Sequence, residues 1–415
     1  MKILMLSSSD GRGGAFAAAY RLQVGLNQAG VKSKMLVKDK TRSDPNVVRN
    51  KDIIFNRWRR LRGRIDRLPL KFYPRRQKHN LFTPAIVPEG IAHEELINTA
   101  DIVHLHWVGG GFLRIETLKA LNKPLVWTLH DLWAFTGGCH YPSECKRYME
   151  TCGNCPALGS SSKYDLSRFI LLRKRKSWKH LNIVFVSPSN WLAKCAKQNS
   201  IFKNMRIEVI PNGLDLECYK PVDKMRARKK LSLPQEKKLI MFGASSGSTD
   251  KRKGFHYLVD ALRILTPNIA GSDVEIVIFG STSDVGQLDV GLKVNIIGKI
   301  EDDENMACLY SAADVFVAPS IYDNLPNTVM EAMACGVPCV AFDIGGMPDM
   351  IEHGKTGYLV KPYKEDDLAD GISWILDDEN RWFELSSNCR AKVVNEYEIS
   401  KISERYAKLY GELLS

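Results

Sequence analysis

The chain has no run of 18 or more apolar residues anywhere in its 415 positions, so no segment reads as a membrane-spanning helix. Its start, Met1-Lys2 followed at once by the strand-like Ile3-Leu4-Met5-Leu6, lacks the layout of a secretory leader. A cytoplasmic protein is the expectation, with its ten cysteines mostly reduced. Acidic residues are in short supply. The 47 Asp and Glu face 59 Lys and Arg, a net charge of +12, which calls for an anionic partner. No short-period repeat and no recognised nucleic-acid motif appears, so nucleic acid is not the expected partner. Gly11-Arg12-Gly13-Gly14 follows the first strand, but a dinucleotide fingerprint needs another glycine where Phe16 stands, so NAD is not expected.

What is present is ordinary for a globular protein of two or three domains, 44% apolar and 26% charged. Strand-like runs alternate with helical patterns, which signals α/β layers with parallel sheets. The first half gives strands at Lys2–Ser7, Lys34–Val37, Asp101–His106, Leu125–Leu129 and Ile183–Val186. Turn formers crowd Ile210 to Asp215. The second half restarts with Lys238–Phe242, Val274–Phe279, Val294–Ile297, Val315–Ala318 and Cys339–Phe342, and ends in helices Arg381–Glu396 and Ile399–Leu414. Two doubly wound domains in tandem are expected.

The richest chemistry lies between Ala313 and Phe342. Val315 to Ala318 reads as a buried strand, and Pro319, Asn324, Pro326 and Asn327 as a loop. A helix should run from near Thr328 to Gly336, whose glycine suits a left-handed cap. Asp323 and Glu331, with seven residues between them, then flank a helix N-terminus at a strand end, where α/β sheets bind ligands and backbone N–H groups favour an anion. Thr328-x-x-Glu331 is equally a capping box, in which the acid only ties off the helix. Lys251-Arg252-Lys253-Gly254, before a helix starting near Phe255, offers cations for two phosphates, or is a solvated loop. His130-Asp131 closes one strand of the first half; His104 and His106 close the one before and read as structural or acceptor-side. Gly13 and Gly14, ahead of the Ala-rich helix Ala15–Asn27, would let a phosphate or sugar approach the backbone, or make a tight turn.

In order and spacing these groups resemble the retaining glycosyltransferases of family four. The family's acid-x7-Glu pair and Ala-x-Ala-x-Gly-x-Pro run correspond to Asp323, Glu331, Ala332, Ala334, Gly336 and Pro338, with Asp323 where Glu is usual. Lys253 matches the family lysine. The family's preceding Gly-Arg-Leu is Gly243-Ala244-Ser245, so that arginine is missing and Arg252 is its candidate replacement. Gly345-Gly346-Met347-Pro348, with Asp349 for Glu, resembles the Gly-Gly-x-Pro-Glu loop. The likeness covers most of the second domain well and the first loosely.

The resemblance implies an α/β protein of GT-B fold, two doubly wound Rossmann-like domains facing a central cleft. Residues 1–212 would be the acceptor side, 213–390 the nucleotide-sugar side, and 391–415 would cross back to the first domain. It implies transfer, with retention, from a nucleotide-diphosphate sugar (UDP ahead of GDP) to a hydroxyl of a glycan or polyprenyl-diphosphate-linked acceptor. Glu331 would hold the ribose, and Asp323 with the backbone of Asn324, Leu325, Pro326 and Asn327 the sugar and outer phosphate. Lys253 and Arg252 would face the leaving diphosphate, Gly298 the base, His130 the donor sugar, and Gly13 and Gly14 the transferred group. Cations and a helix end would replace a divalent ion, so no catalytic metal is required. Rival readings are an epimerase of the same fold and a non-catalytic, membrane-associated binding protein.

Two features stand outside that frame. Between Phe55 and Asn80, ten basic residues oppose Asp66 alone, and a second basic run spans Arg168 to Lys179. Trp58, Leu61, Ile65 and Leu68 recur at helical spacing, which predicts an amphipathic basic helix for an anionic membrane surface. Cys139, Cys145, Cys152 and Cys155 cluster in an insertion at 137–160. Four thiolates would close a structural zinc site, with His140 as a substitute ligand; two disulfides or free thiols are the alternatives.

Overall fold

The computed structural model describes residues 1–11, 13–50, 62–87, 93–244, 250–269, 273–280 and 289–415. The chain forms two compact units. Met1–Gly213 and Ser400–Ser415 make the first, and Leu214–Ile399 the second.

The first unit is built on seven strands: β1 (Lys2–Ser9), β2 (Lys32–Asp39), β3 (Val47–Arg49), β4 (Ile102–Leu105), β5 (Leu125–Thr128), β6 (Ile183–Ser187) and β7 (Ile207–Val209). They pair in parallel in the order β3-β2-β1-β4-β5-β6-β7. Ile3 to Leu6 and Ile102 to Leu105 are buried on both faces of the sheet, which is why these strands read as apolar runs, the second broken only by His104. The second unit repeats the plan with β8 (Lys238–Ala244), β9 (Val274–Gly280), β10 (Val294–Ile297), β11 (Val315–Ala318), β12 (Cys339–Phe342) and β13 (Gly357–Val360), all parallel, in the order β10-β9-β8-β11-β12-β13. Each sheet therefore reverses its winding once, between β1 and β4 and between β8 and β11. At such a reversal successive connections leave to opposite faces and open a crevice at the strand ends.

Side-chain caps start several helices. Asp165 accepts the N–H groups of Ser167 and Arg168, Ser189 that of Leu192, Asp302 that of Asn305 and Asp378 that of Arg381. Three strands escaped the sequence reading: β3, β7 and β13. All three lie at sheet edges, and β3 and β7 are three residues each, too short for a periodic signal.

The chain leaves the second unit at Ile399 rather than at 391, because helix Glu379–Glu396 buries Leu385, Cys389 and Val393 in that unit's core. The final helix, Ile399–Leu414, packs Ile402, Tyr406, Leu409 and Tyr410 on Ile3, Met5, Ile102, Val126 and Val184 of the first sheet. No helix of the described residues is long and apolar enough to cross a membrane. The terminal helix is thus a wall of the first core. Leu409→Ala should lower the unfolding free energy of that unit by about 2–4 kcal/mol, read from denaturant titration, since a buried leucine leaves a cavity.

Candidate functional site

Three loops of the second unit meet at the β8/β11 reversal. Lys251–Lys253 is one 3-10 turn, started by Asp250, whose side chain accepts the Arg252 N–H. The Arg252 guanidinium pairs with Asp250 at 2.8 Å and donates to the Tyr322 carbonyl at 3.3 Å. Lys253 Nζ pairs with Asp323 Oδ2 at 2.6 Å. Ile321 N–H bonds the Arg252 carbonyl at 2.9 Å. The cationic turn and the acidic loop, separate motifs in the sequence, are therefore one assembly. Two glycines allow it. Gly254 has φ 70°, and a Cβ there would stand 1.7 Å from the Pro319 carbonyl oxygen. Gly345 has φ 64°, and a Cβ there would stand 2.2 Å from the Asp323 carbonyl oxygen; the next residue, Gly346, donates its N–H to that oxygen.

Burial works to raise the Asp323 carboxyl, but the Lys253 ammonium and the Arg252 guanidinium outweigh it and hold the group below the usual carboxylate range. Behind it runs helix Asn327–Ala334, capped by Pro326 with no side-chain hydrogen bond. Thr328 lies inside this helix, so the capping box is not formed. Glu331 is 6% exposed, and its Oε2 accepts from the Tyr310 hydroxyl at 3.0 Å. Tyr310 comes from helix Asp303–Ala312 and was not anticipated; nothing in its local sequence marks it. Asn324, Leu325 and Asn327 are buried around the same helix start, whose backbone N–H groups favour an anion. Gly298 is exposed beyond β10 and accepts from Gly280 N–H; none of these contacts reaches it. Ser245 and Arg12, quoted in two of the motifs, lie outside the described residues.

The first unit builds a different environment at the ends of β4 and β5. His104 is wholly buried, between the Tyr410 hydroxyl at 2.7 Å and Thr128 Oγ1 at 2.8 Å; it is structural. His106 Nδ1 bonds His130 Nε2 at 3.1 Å, while its buried Nε2 meets no hydrogen-bond partner among the described residues. Burial drives all three imidazoles toward the neutral form: His104 falls to about 3, His130 to about 4, and His106 well below its ordinary value. Asp131 is committed to structure, accepting from Trp107 Nε1 at 2.9 Å, Trp133 N–H at 2.8 Å and His140 Nδ1 at 2.7 Å. Gly13 caps the helix Gly14–Gln28, and Phe16 from its first turn meets Trp107 edge to face at 5.7 Å. His106, Trp107, Trp127, His130, Trp133 and His140 line a small pocket. Rings and neutral imidazoles can hold a polyhydroxyl compound by stacking and hydrogen bonding without burying a charge.

The remaining candidates divide. His140 has both ring nitrogens engaged, Nδ1 with Asp131 and Nε2 with Thr83 Oγ1 at 2.8 Å, which removes it as a metal ligand. Among the described residues no three His, Cys, Asp or Glu side chains are drawn up as a ligand set, though all four cysteines are free thiols. Trp58 and Leu61 lie outside the described residues. Residues 62–66 are helical, but a 3-10 turn at Leu68–Phe72 follows, so Leu68 does not continue that helix. Asp66, the lone acid of the run, is buried and accepts the N–H groups of Ala85, Ile86 and Val87.

The family model "Glycosyl transferases group 1" matches residues 223–393, and "Glycosyltransferase Family 4" matches residues 12–218. A D-inositol 3-phosphate glycosyltransferase of Arthrobacter sp. is 27% identical over 67% of this chain and 62% of its own length. The UDP-Gal:alpha-D-GlcNAc-diphosphoundecaprenol alpha-1,3-galactosyltransferase of Escherichia coli is 28% identical over 51% of this chain and 55% of its own. The chain thus spans a little over half the length of these relatives. In overall fold it is similar to sucrose-phosphate synthase from Thermosynechococcus elongatus (TM-score 0.70, 20% identity, 99% of this chain and 98% of that one). It is also similar to HepE from Anabaena in complex with UDP and glucose (TM-score 0.65, 18% identity, 99% and 100%).

The neutral histidines make a prediction about acid stability. Their folded values lie far below the ordinary 6.5 of the unfolded chain. The unfolded state therefore binds more protons as the pH falls below 6.5, and stability is lost from there down toward about 4. The expected slope is about 1.4 kcal/mol per pH unit for each histidine. Urea unfolding across that range should show the decline, and His104→Gln should make it shallower.

Proposed function

This chain belongs to glycosyltransferase family 4, and from that premise we propose that it moves a sugar from a nucleotide diphosphate to an acceptor hydroxyl with retention. The observation that carries the reading is the Lys253–Asp323 pair, 2.6 Å apart, beside a helix start with no side-chain cap and the buried Glu331. Lys253 and Arg252 stabilise charge on the departing diphosphate, and the helix N-terminus adds to that field. Glu331, steadied by Tyr310, holds the ribose hydroxyls. Asp323 orients Lys253 and faces the sugar. His130 acts on the transferred sugar as a neutral hydrogen-bonding group. The acceptor hydroxyl attacks from the face the diphosphate leaves, and the departing phosphate takes its proton. With fixed cations in this role, the reading needs no divalent metal. UDP is the favoured nucleotide, in line with the UDP bound to HepE and the UDP-galactose in the Escherichia coli relative's name.

Glu331→Ala, Lys253→Ala and His130→Ala should each lower turnover with the true donor by about 10²–10³, as loss of a charge-stabilising group does. The donor is found first by thermal shift across uridine, guanosine and adenosine diphosphate sugars. A Glu331→Ala protein that melts earlier but turns over normally would overturn the assignment. Donor consumption without acceptor would mark an epimerase, and binding without turnover a binding protein.

A lipid-linked acceptor on the cytoplasmic face of a membrane is the second part of the proposal. Leu68 and Phe72 are exposed, Phe72 at 84%, among exposed Arg67, Lys71 and Arg75. The second basic run lies beside them: Leu166 N–H bonds the Tyr73 hydroxyl at 2.9 Å, and Tyr164, Phe169 and Leu172 are exposed. Cations flanking exposed rings suit an anionic interface, each contributing about 1 kcal/mol. The protein should sediment with phosphatidylglycerol vesicles, less so as salt rises, and Phe72→Ala should weaken it. Equal sedimentation with neutral vesicles would count against this surface.

A further inference from the structure

His130 has a hydrogen-bonding role in the proposed reaction, and its orientation has a specific source. An imidazole is usually turned by a carboxylate or a carbonyl on its second ring nitrogen. The adjacent acid does not do this here, because Asp131 is taken up by Trp107, Trp133 and His140. The partner is another imidazole. His130 Nε2 faces His106 Nδ1 at 3.1 Å, with the two rings 26° from parallel. His106 is itself held on every side. Its N–H donates to the Leu6 carbonyl at 2.9 Å, its carbonyl accepts from Trp127 Nε1 at 3.1 Å, and the His104 ring backs its own at 4.2 Å. Its side chain is 2% exposed.

The direction of the bond between the two rings follows from the nitrogen of His106 that faces away. Burial keeps both imidazoles neutral, and a neutral imidazole has one donor and one acceptor nitrogen. Two arrangements are open. If His130 Nε2 donates, the proton of His106 must sit on Nε2, and that buried atom meets no hydrogen-bond partner among the described residues. An N–H is then buried with nothing to receive it. If His106 Nδ1 donates, its Nε2 is a bare lone pair and the proton of His130 sits on Nδ1. Buried donors without an acceptor are rarer than acceptors left under-used, so the second arrangement is favoured.

We infer that His106 is a positioning residue, donating from Nδ1 to His130 Nε2 and so fixing His130 with its own proton on Nδ1. This rests on the role given to His130 above and makes it specific. His130 then meets the transferred sugar as a hydrogen-bond donor, through the ring nitrogen that His106 leaves free. Its target is an oxygen with a lone pair to offer, and a sugar lacking that oxygen would lose the contact. A ring whose Nε2 already accepts and whose Nδ1 already carries a proton has no site for another proton. His130 is therefore not the base that deprotonates the acceptor hydroxyl, which leaves that proton to the departing phosphate.

Long-range ¹H–¹⁵N correlation spectra of full-length protein labelled with ¹⁵N-histidine test this, with His130→Gln and His106→Asn locating the two rings. His130 should show a protonated, pyrrole-type Nδ1 and a bare, pyridine-type Nε2, and His106 the same pattern. The reverse pattern on His130, an even mixture of tautomers, or two protonated nitrogens would each overturn the inference. In His106→Asn the amide N–H can stand in for Nδ1, so the His130 pattern should persist. His106→Leu offers no donor, so the pattern should collapse to a mixture, and turnover should fall about tenfold, the worth of one hydrogen bond. An unchanged His130 pattern in folded His106→Leu protein would remove the role given to His106. Should that variant not fold, the wild-type and His106→Asn spectra still decide. The spectra need neither donor nor acceptor, so their outcome is separate from that of the transfer assays.

Discussion

Gly254 is the point on which the second-unit site turns. A side chain there would collide with the Pro319 carbonyl oxygen at 1.7 Å, so only glycine lets the cationic turn lie against the loop that follows β11. From that approach come the Ile321–Arg252 backbone bond and the reach of Lys253 to Asp323. Gly345 performs the same service on the other side, letting the Gly345-Gly346 loop grip the Asp323 backbone. Three segments far apart in sequence are thus fixed by backbone contacts, and the charged side chains they carry inherit that rigidity. Charges positioned by backbone need little reorganisation when a reaction moves charge, which is the condition for electrostatic catalysis.

The two units handle charge in opposite ways. The second concentrates ion pairs at its strand ends. At the ends of β4 and β5 the first removes charge: His104, His106 and His130 are neutral, chained to hydroxyls of Thr128, Tyr406 and Tyr410 or to each other, and Asp131 is spent on Trp107, Trp133 and His140. The terminal helix supplies both tyrosines, and Tyr410 bonds the buried His104. A neutral pocket lined by rings suits hydroxyl-rich surfaces, and a charged one suits phosphates. The transfer proposed above, of a sugar from a nucleotide diphosphate to a hydroxyl, would use both kinds of surface.

Much of this was legible in the sequence, for definable reasons. The buried strands announced themselves because both faces of a parallel sheet are apolar, and β11 and β12 fall on the residues read for them. The acid-x7-Glu spacing and the Lys-Gly pair stood out because their order and spacing match those of the family. What stayed hidden depends on tertiary contact. Nothing near Tyr310 foretells that its hydroxyl meets Glu331, and Thr328-x-x-Glu331 has the spacing of a capping box although the helix starts earlier, at Pro326. Leu68 kept helical spacing with Ile65 while the backbone turned to 3-10 geometry around Pro69. Lys174, one cation in a basic run, gave no sign that it alone is fully buried among the Arg168–Lys179 cations.

The exchange of Glu for Asp at position 323 has a physical reading in this geometry. Gly346 fixes the Asp323 carbonyl, which leaves the side chain a short span to Lys253, and the shorter acid closes it at 2.6 Å. Arg252 is held in parallel by Asp250 at 2.8 Å. Both cations are therefore neutralised before any ligand arrives, which avoids burying uncompensated charge in the resting protein. Under the reading proposed above, a diphosphate would meet cations already oriented, whose remaining N–H groups can turn to it, together with the field of a helix start. As negative charge grows on the departing group, attraction to these fixed donors grows with it. The carboxylates thus act as holders for the cations, and in the proposed reaction the same pairing would keep those cations in place for the leaving group.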